Sequence, residues 1–188
     1  MLSNAIEFTK NKLDEFLSNK SGNTQAILQL SSLSESNSDK SSDDNVIKMA
    51  IVNIEEEEAM SNRLSYTERD GEFQKKNPPV FLNVYLLFSM DFKDSNYLEG
   101  LHWLSFIIQF FQQNKIFTAD TTAMPNKIER LNFELVNIEI DNMSRFWGAL
   151  GANYQPSVIY KMKMISIDSD AMEARYASVS DPELKTGM

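Results

Sequence analysis

The stretch Asn77-Pro78-Pro79-Val80-Phe81-Leu82-Asn83-Val84-Tyr85-Leu86-Leu87-Phe88 predicts the central strand of a sheet. Two consecutive prolines exclude a helix at its start, and alternate residues after them are apolar. The other face of the strand carries Phe81, Tyr85 and Leu87. Because both faces are apolar, we expect this strand to lie inside the sheet and to be covered on both sides.

The residues after this strand predict a long helix, capped by Asp94 or Ser95 and ending near Asn114. It has two adjacent apolar stripes. The first, expected to dock on the sheet, is Tyr97, Leu101, Leu104, Ile108 and Phe111. The second is Trp103, Phe106, Ile107 and Phe110. Since one stripe suffices for docking, we expect the second to be buried by another subunit or by a second layer of this chain, and it is a candidate interface.

On the N-terminal side, residues 1–20 predict an amphipathic helix, followed by a short strand within residues 24–33 and a solvated loop over residues 34–43. Residues 46–54 predict a strand whose alternation slips at Val52, as a β-bulge would cause. Residues 55–77 contain few apolar residues and predict an excursion from the sheet with a hairpin turn at Asp70-Gly71.

On the C-terminal side, residues 130–140 and 157–168 predict two further strands. Between them a short helix is expected, capped by Asp141 and stopped by Gly151. Its inward residues would be Met143, Phe146, Trp147 and Leu150.

The predicted elements indicate an α+β fold with a mixed, mostly antiparallel sheet flanked by helices, which we expect on one side of the sheet. We assign residues 1–168 to a single domain. Residues 169–188 supply too few apolar side chains to pack, and are expected to be a flexible C-terminal tail.

Composition argues against most enzyme and nucleic-acid-binding classes. The 188 residues contain no cysteine and one histidine, His102, which is expected to be structural. The net charge of −9 has the wrong sign for binding phosphates, so no nucleic-acid partner is expected. No apolar run is long enough to span a membrane, and residues 1–20 lack the features of a signal peptide, so we expect synthesis in the cytoplasm and no membrane insertion.

Glu55-Glu56-Glu57-Glu58 is the most conspicuous polar feature. A cation site would need spaced carboxylates around a turn glycine, and the run has neither, so no metal is expected. Four adjacent carboxylates cannot all be buried, and we expect Glu56, Glu57 and Glu58 to face water or a basic partner. The chain has no phosphate-binding or nucleophile motif, so no cofactor and no catalytic residue are expected. Trp103 and Trp147 are interpreted as core residues rather than as a ligand site.

Several segments together resemble the cap proteins of contractile injection systems, which are phage-tail-like particles. The double proline before the strand of residues 80–88 resembles the hallmark strand of that family. Residues 146–150 and 154–162 resemble its helix followed by a Pro-Ser-x-x-Tyr strand, and residues 52–57 resemble its acidic strand end. The resemblance covers roughly residues 1–168 in order.

This resemblance implies a structural cap subunit, not an enzyme, that forms a hexameric ring on the end of the inner tube and sheath and terminates their polymerisation. Its partners would be other copies of itself and the tube and sheath subunits of a particle that can be released outside the cell. Longer relatives carry extra domains, which this chain is expected to lack, so it could cap alone or beside a second, longer cap subunit. The alternative is an adaptor or assembly factor that forms no ring but links a component to such a particle.

Overall fold

The computed structural model describes residues 1–21, 27–33, 45–57, 65–69, 72–76, 80–126, 128–167 and 172–177, and this part of the chain forms three α-helices and nine strands. The helices are α1 (Leu2–Ser21), α2 (Tyr97–Gln113) and α3 (Ile140–Leu150). The strands are β1 (Leu28–Leu30), β2 (Val46–Glu56), β3 (Ser65–Arg69), β4 (Glu72–Lys76), β5 (Val80–Asp91), β6 (Ile116–Thr118), β7 (Arg130–Val136), β8 (Ser157–Ile167) and β9 (Met172–Ala177).

The main sheet has six strands in the order β1-β2-β5-β8-β7-β6. The pair β1 and β2 is parallel, and all other neighbours are antiparallel. The strand β5 lies third in the sheet, between β2 and β8. The predicted α+β fold with a mixed, mostly antiparallel sheet is confirmed, and the double-proline segment precedes an interior strand as expected.

A second sheet contains β3, β4 and β9 in that order. Arg69 pairs with Glu72, so β3 and β4 form the predicted hairpin, although its turn at Asp70-Gly71 lies outside the described residues. In the chain β3 follows β2, β4 precedes β5 and β9 follows β8. The order β3-β4-β9 therefore repeats the order β2-β5-β8 of the main sheet. The range 169–188, for which a flexible tail is predicted, contains β9, because backbone pairing with β4 requires no run of apolar side chains. The loop predicted over residues 34–43 lies outside the described residues.

A β-bulge interrupts β2, as the slip in its apolar alternation predicts. Ile51 pairs with Leu86 of β5, and the next pair is Asn53 with Tyr85. Because Val52 is an extra residue, the side chains that follow it alternate in the opposite sense, and Glu55 lies on the same face of the sheet as Tyr85. The bulge therefore determines the face of the sheet on which the side chain of Glu55 lies.

Helices cover both faces of the sheet. On one face α1 and α2 bury the larger core, which contains Leu86 and Phe88 of β5. On the other face α3 buries a smaller core of Leu87, Trp147 and Ile159. The expectation that the helices lie on one side of the sheet is wrong, because alternation along β5 and β8 sends apolar side chains to both faces and each face needs a cover.

The structure also corrects several element boundaries. The strand predicted over residues 130–140 ends at Val136, and Ile140 starts α3 with 86% of its surface exposed. The residues before α2 and α3 are Asn96 and Glu139, and neither helix has a side-chain cap, so the caps predicted at Asp94 or Ser95 and at Asp141 are wrong. Gly151 does end α3, with a φ of 64° that favours glycine.

Candidate assembly surfaces

The part of the sheet beside α3 carries a cluster of charged and polar side chains. The hydroxyl of Tyr85 donates a hydrogen bond to the Glu55 carboxylate. The Nζ atom of Lys161 lies 3.0 Å from Oε1 of Glu55 and 5.3 Å from the ring centroid of Tyr85. One residue from each of β2, β5 and β8 thus meets in a single cluster, which fixes the acidic end of β2 to the sheet.

The same contacts shift the pKa values of all three groups. Hydrogen bonds from Tyr85 and Lys161 stabilise the carboxylate and lower the pKa of Glu55. Burial, followed by the hydrogen bond to Glu55, raises the pKa of Tyr85. The hydrogen bond to Glu55 raises the pKa of Lys161. Near neutral pH the cluster therefore holds a carboxylate, a neutral phenol and an ammonium group.

We predict that Tyr85 ionises above the ordinary tyrosine pKa, and that Glu55→Gln lowers its pKa part of the way back. The phenol's contribution to stability is complete below the ordinary pKa and is lost as the pH rises through the raised value. Replacing the carboxylate removes the hydrogen-bond contribution but leaves that of burial. The measurement is the ultraviolet titration of phenolate, taking the difference between each protein and its Tyr85→Phe derivative.

The matched control for this titration is Tyr154→Phe, because Tyr154 is 64% exposed. A Tyr85 pKa equal to the ordinary tyrosine value, or one that Glu55→Gln leaves unchanged, would contradict the prediction.

Two further pairs continue the polar cluster across the sheet. Nδ2 of Asn83 donates to Oε2 of Glu57 at 2.9 Å, and Nζ of Lys163 lies 2.6 Å from Oε2 of Glu134. Glu57 and Glu134, like Glu55, are thus paired with groups of the same chain. In the part of the chain that the structure describes, no three acidic or histidine side chains lie together as a metal ion would require.

The predicted acidic candidates occupy different surroundings. Glu56 is exposed, Glu57 is half-buried and binds Asn83, and Glu58 lies outside the described residues. The sequence did not single out Tyr85 and Lys161 as partners of Glu55, because only the bulge and the register of three strands bring them together. A binding role for the acidic run remains a prediction.

The second stripe of α2 is packed inside the chain. Trp103, Ile107 and Phe110 are buried, and the rings of Phe110 and Phe16 of α1 lie 5.4 Å apart. The sequence left open whether another subunit or a second layer of this chain buries the stripe. For these three residues, the structure shows burial within the chain. Phe106 is half-buried, and the ring of the exposed His102 lies 4.4 Å from it.

The exposed apolar residues of α2 come mainly from the first stripe instead. Tyr97 is 43% exposed, Leu101 36% and Ile108 40%, and the neighbouring Leu98 is 80% exposed. The first stripe was expected to dock on the sheet, and for Tyr97, Leu101 and Ile108 that expectation is wrong. Periodicity locates two apolar stripes but cannot tell which one α1 will cover, because that depends on how α1 and α2 cross.

Two clefts lie beside the exposed end of β7. One has a volume of about 230 Å³ and includes Met143 and Phe146 of α3 in its wall, and the other, of about 290 Å³, includes Phe111 of α2. Both are also lined by Ile108 and by Leu135, which is 52% exposed. Both clefts thus adjoin Leu135 at the edge of the sheet.

The chain matches the model of the Pvc16 N-terminal domain over residues 8–180. It belongs to the Pvc16 N-terminal domain family. The resemblance to the cap proteins of contractile injection systems, which the sequence motifs indicate, is confirmed by this match together with the two solved structures that follow. No curated protein matches the chain.

Two solved structures are similar to this Pvc16 N-terminal domain chain. One is the PVC sheath/tube terminator of an extracellular contractile injection system in its extended state, with a TM-score of 0.68 and 12% identity, covering 100% of this chain and 64% of that one. The other is the tube-terminating cap of the anti-feeding prophage, with a TM-score of 0.55 and 16% identity, covering 93% of this chain and 58% of that one. The chain therefore spans about three fifths of the length of these two proteins.

None of the helices in the described part of the chain is both long and apolar enough to cross a membrane.

Proposed function

We propose that this protein is a structural cap subunit that forms a hexameric ring on the end of the inner tube and sheath of a contractile injection system and terminates their polymerisation. The observation that carries the proposal is the family match over residues 8–180, together with the shared fold of a sheath/tube terminator and a tube-terminating cap. The proposed site of action is an assembled particle that is released from the cell.

The surfaces of the chain support an assembly role. Four apolar side chains of α2, Tyr97, Leu98, Leu101 and Ile108, are exposed to solvent, and such surface is typical of sites that bind another protein. The polar cluster around Glu55 is paired within the chain and contains no group poised as a nucleophile. A non-enzymatic role is therefore part of the proposal.

A terminator must bind the last layer of a polymer without offering the same surface to the next one. The net charge of −9 supports this requirement, because a charged outer face of the cap would differ from the surface that a further layer of subunits needs to bind. The partners are proposed to be tube and sheath subunits on one face of the ring, with a second, longer cap subunit as a further partner.

The experiment that tests the proposal is electron microscopy of particles from cells that lack this gene. We expect tubes and sheaths of broadly distributed length, and restoration of a single length when the gene is returned. As a matched control, the gene is returned with an early stop codon. Particles of normal length that lack one component would instead support an adaptor, and normal particles with every component would contradict both functions.

A further inference from the structure

The cleft between the end of α2 and the strand β7 has walls that are mainly apolar. Its volume is about 290 Å³, and the buried residues Phe111 and Phe133 line it. Ile108, which is 40% exposed, and Leu135, which is 52% exposed, also line it and reach the surface. A space of this size and character fits a small ligand group, such as one leucine or phenylalanine side chain.

Tyr160 adds a hydrogen-bond donor to the wall of this cleft. Its side chain is 4% exposed, and its ring lies 4.2 Å from that of Phe111, measured between centroids. The hydroxyl makes no hydrogen bond with the described residues, yet it is not sealed in the core. Burial raises the pKa of Tyr160, so near neutral pH the group is a phenol with a proton to donate.

The edge of β7 supplies a backbone donor beside the same cleft. The N–H of Phe133 donates to the carbonyl of Lys115, on the side of β7 away from β8, and alternation points the N–H of Leu135 the same way. Because β6 pairs with β7 only from Arg130 to Asn132, no strand of the described chain lies opposite Leu135 on that side. The end of β7 is therefore open to one short extended segment.

Lys115 makes the cleft attractive to a negative charge. It lines the cleft, is exposed and has no ion-pair partner within the described part of the chain. Glu134 also contributes to the wall, but Leu135 pairs with Tyr160 on one face of the sheet, so the Glu134 side chain points to the other. There its carboxylate lies 2.6 Å from Nζ of Lys163. The charge of Lys115 is therefore not neutralised by Glu134.

The last residue of a polypeptide has the chemistry that this cleft would recognise. It carries a side chain for an apolar space, a carboxylate for hydrogen-bond donors, and a backbone that can pair with an open strand edge. A free carboxylic acid offers the first two but leaves the edge of β7 unpaired. The net charge of −9 favours basic residues before the apolar end of the bound chain.

We propose that this cleft binds the C-terminal residue of a second protein, whose chain ends in an apolar residue preceded by basic ones. The apolar side chain enters between Ile108 and Leu135. The carboxylate accepts hydrogen bonds from Lys115 and Tyr160, and the backbone before it pairs with β7 at Leu135. The inference goes beyond the proposed function, because binding of a chain end is measured without a ring or a particle.

Fluorescence anisotropy with the full chain and labelled hexapeptides tests this inference. The two probes carry the fluorophore on the N-terminus and lysines before the last two residues, and they end in valine-leucine or valine-phenylalanine. Each is compared with the same peptide whose C-terminus is an amide. We expect saturable binding of the free acids and at least about tenfold weaker binding of the amides, because an amide loses the charge-assisted hydrogen bonds of the carboxylate.

Two variants test the side chains that hold the carboxylate. Tyr160→Phe removes a hydroxyl that has no partner in the described part of the chain, and should weaken binding of the acids about fivefold while leaving the amides unchanged. Lys115→Gln should weaken binding of the acids and reduce its dependence on salt. The matched controls are Tyr154→Phe and Lys20→Gln, which alter exposed residues outside the cleft and should change neither.

Several results would overturn the inference. These are equal binding of acid and amide, a Tyr160→Phe protein that binds the acids as tightly as the wild type, and failure of both acids to bind at ~1 mM protein. Displacement of the probe by hexanoate as effectively as by unlabelled peptide would also overturn it, because the cleft would then bind free carboxylic acids. Particle length is a separate measurement, so the cap function can fail while the chain end still binds, and the reverse.

Discussion

Leu86→Ala is expected to lower the free energy of unfolding by about 2 to 5 kcal/mol. Leu86 is 0% exposed and lies on β5, the interior strand, where it packs in the core beneath α1 and α2. Truncation removes apolar contacts and leaves a cavity that the neighbouring strands, held by backbone bonds on both sides, can fill only in part. The measurement is urea unfolding followed by circular dichroism.

Leu98→Ala is the matched control, because the same atoms are removed from a leucine that is 80% exposed. It should change the unfolding free energy by no more than about 0.5 kcal/mol. If Leu86→Ala cost less than about 1 kcal/mol, it would fall below the range for buried leucines, and the interior position of β5 would be wrong.

Phe111→Ala is expected to cost about 3 to 5 kcal/mol. Its side chain is 1% exposed, and its ring lies 4.2 Å from that of Tyr160 and 4.9 Å from that of Phe133, measured between centroids. The ring therefore joins α2 to β7 and β8, and truncation would open a cavity between the helix and the sheet. Thermal and urea unfolding both measure the loss.

Ile108→Ala serves as the control for Phe111, since it lies one turn away on the same predicted stripe but is 40% exposed. Its cost should be well under half of that for Phe111→Ala. Equal losses for the two variants would show that α2 is rotated on the sheet, away from the arrangement in which Phe111 faces Tyr160 and Ile108 is exposed.

Predictions from local pattern succeeded where one strand or helix decides the outcome. The alternation around Leu86 predicted an interior strand, the slip at Val52 predicted the bulge, and Gly151 predicted the end of α3. Each of these features depends on backbone conformation or on the period of a single element. The short strand β6 was missed, because three residues after a helix contain too little pattern to indicate a strand.

The candidate site was predicted less completely than the fold. The acidic end of β2 was identified, but its partners Tyr85 and Lys161 lie on strands far away in the chain. The stripe proposed as an interface was found in the chain's own core at Trp103, Ile107 and Phe110. Both outcomes depend on contacts between elements, which periodicity does not specify.

The sequence by itself determined the α+β class and the interior strand, because apolar periodicity and prolines act through local geometry, and its motifs carried the family resemblance. Only the tertiary structure decided that α3 covers the second face, that Phe16 of α1 contacts Phe110 of α2 while Ile108 stays exposed, and that Tyr85 and Lys161 meet Glu55. The physical reason is that strand register and helix crossing are set by the packing of the whole core, where residues distant in sequence compete for the same buried space.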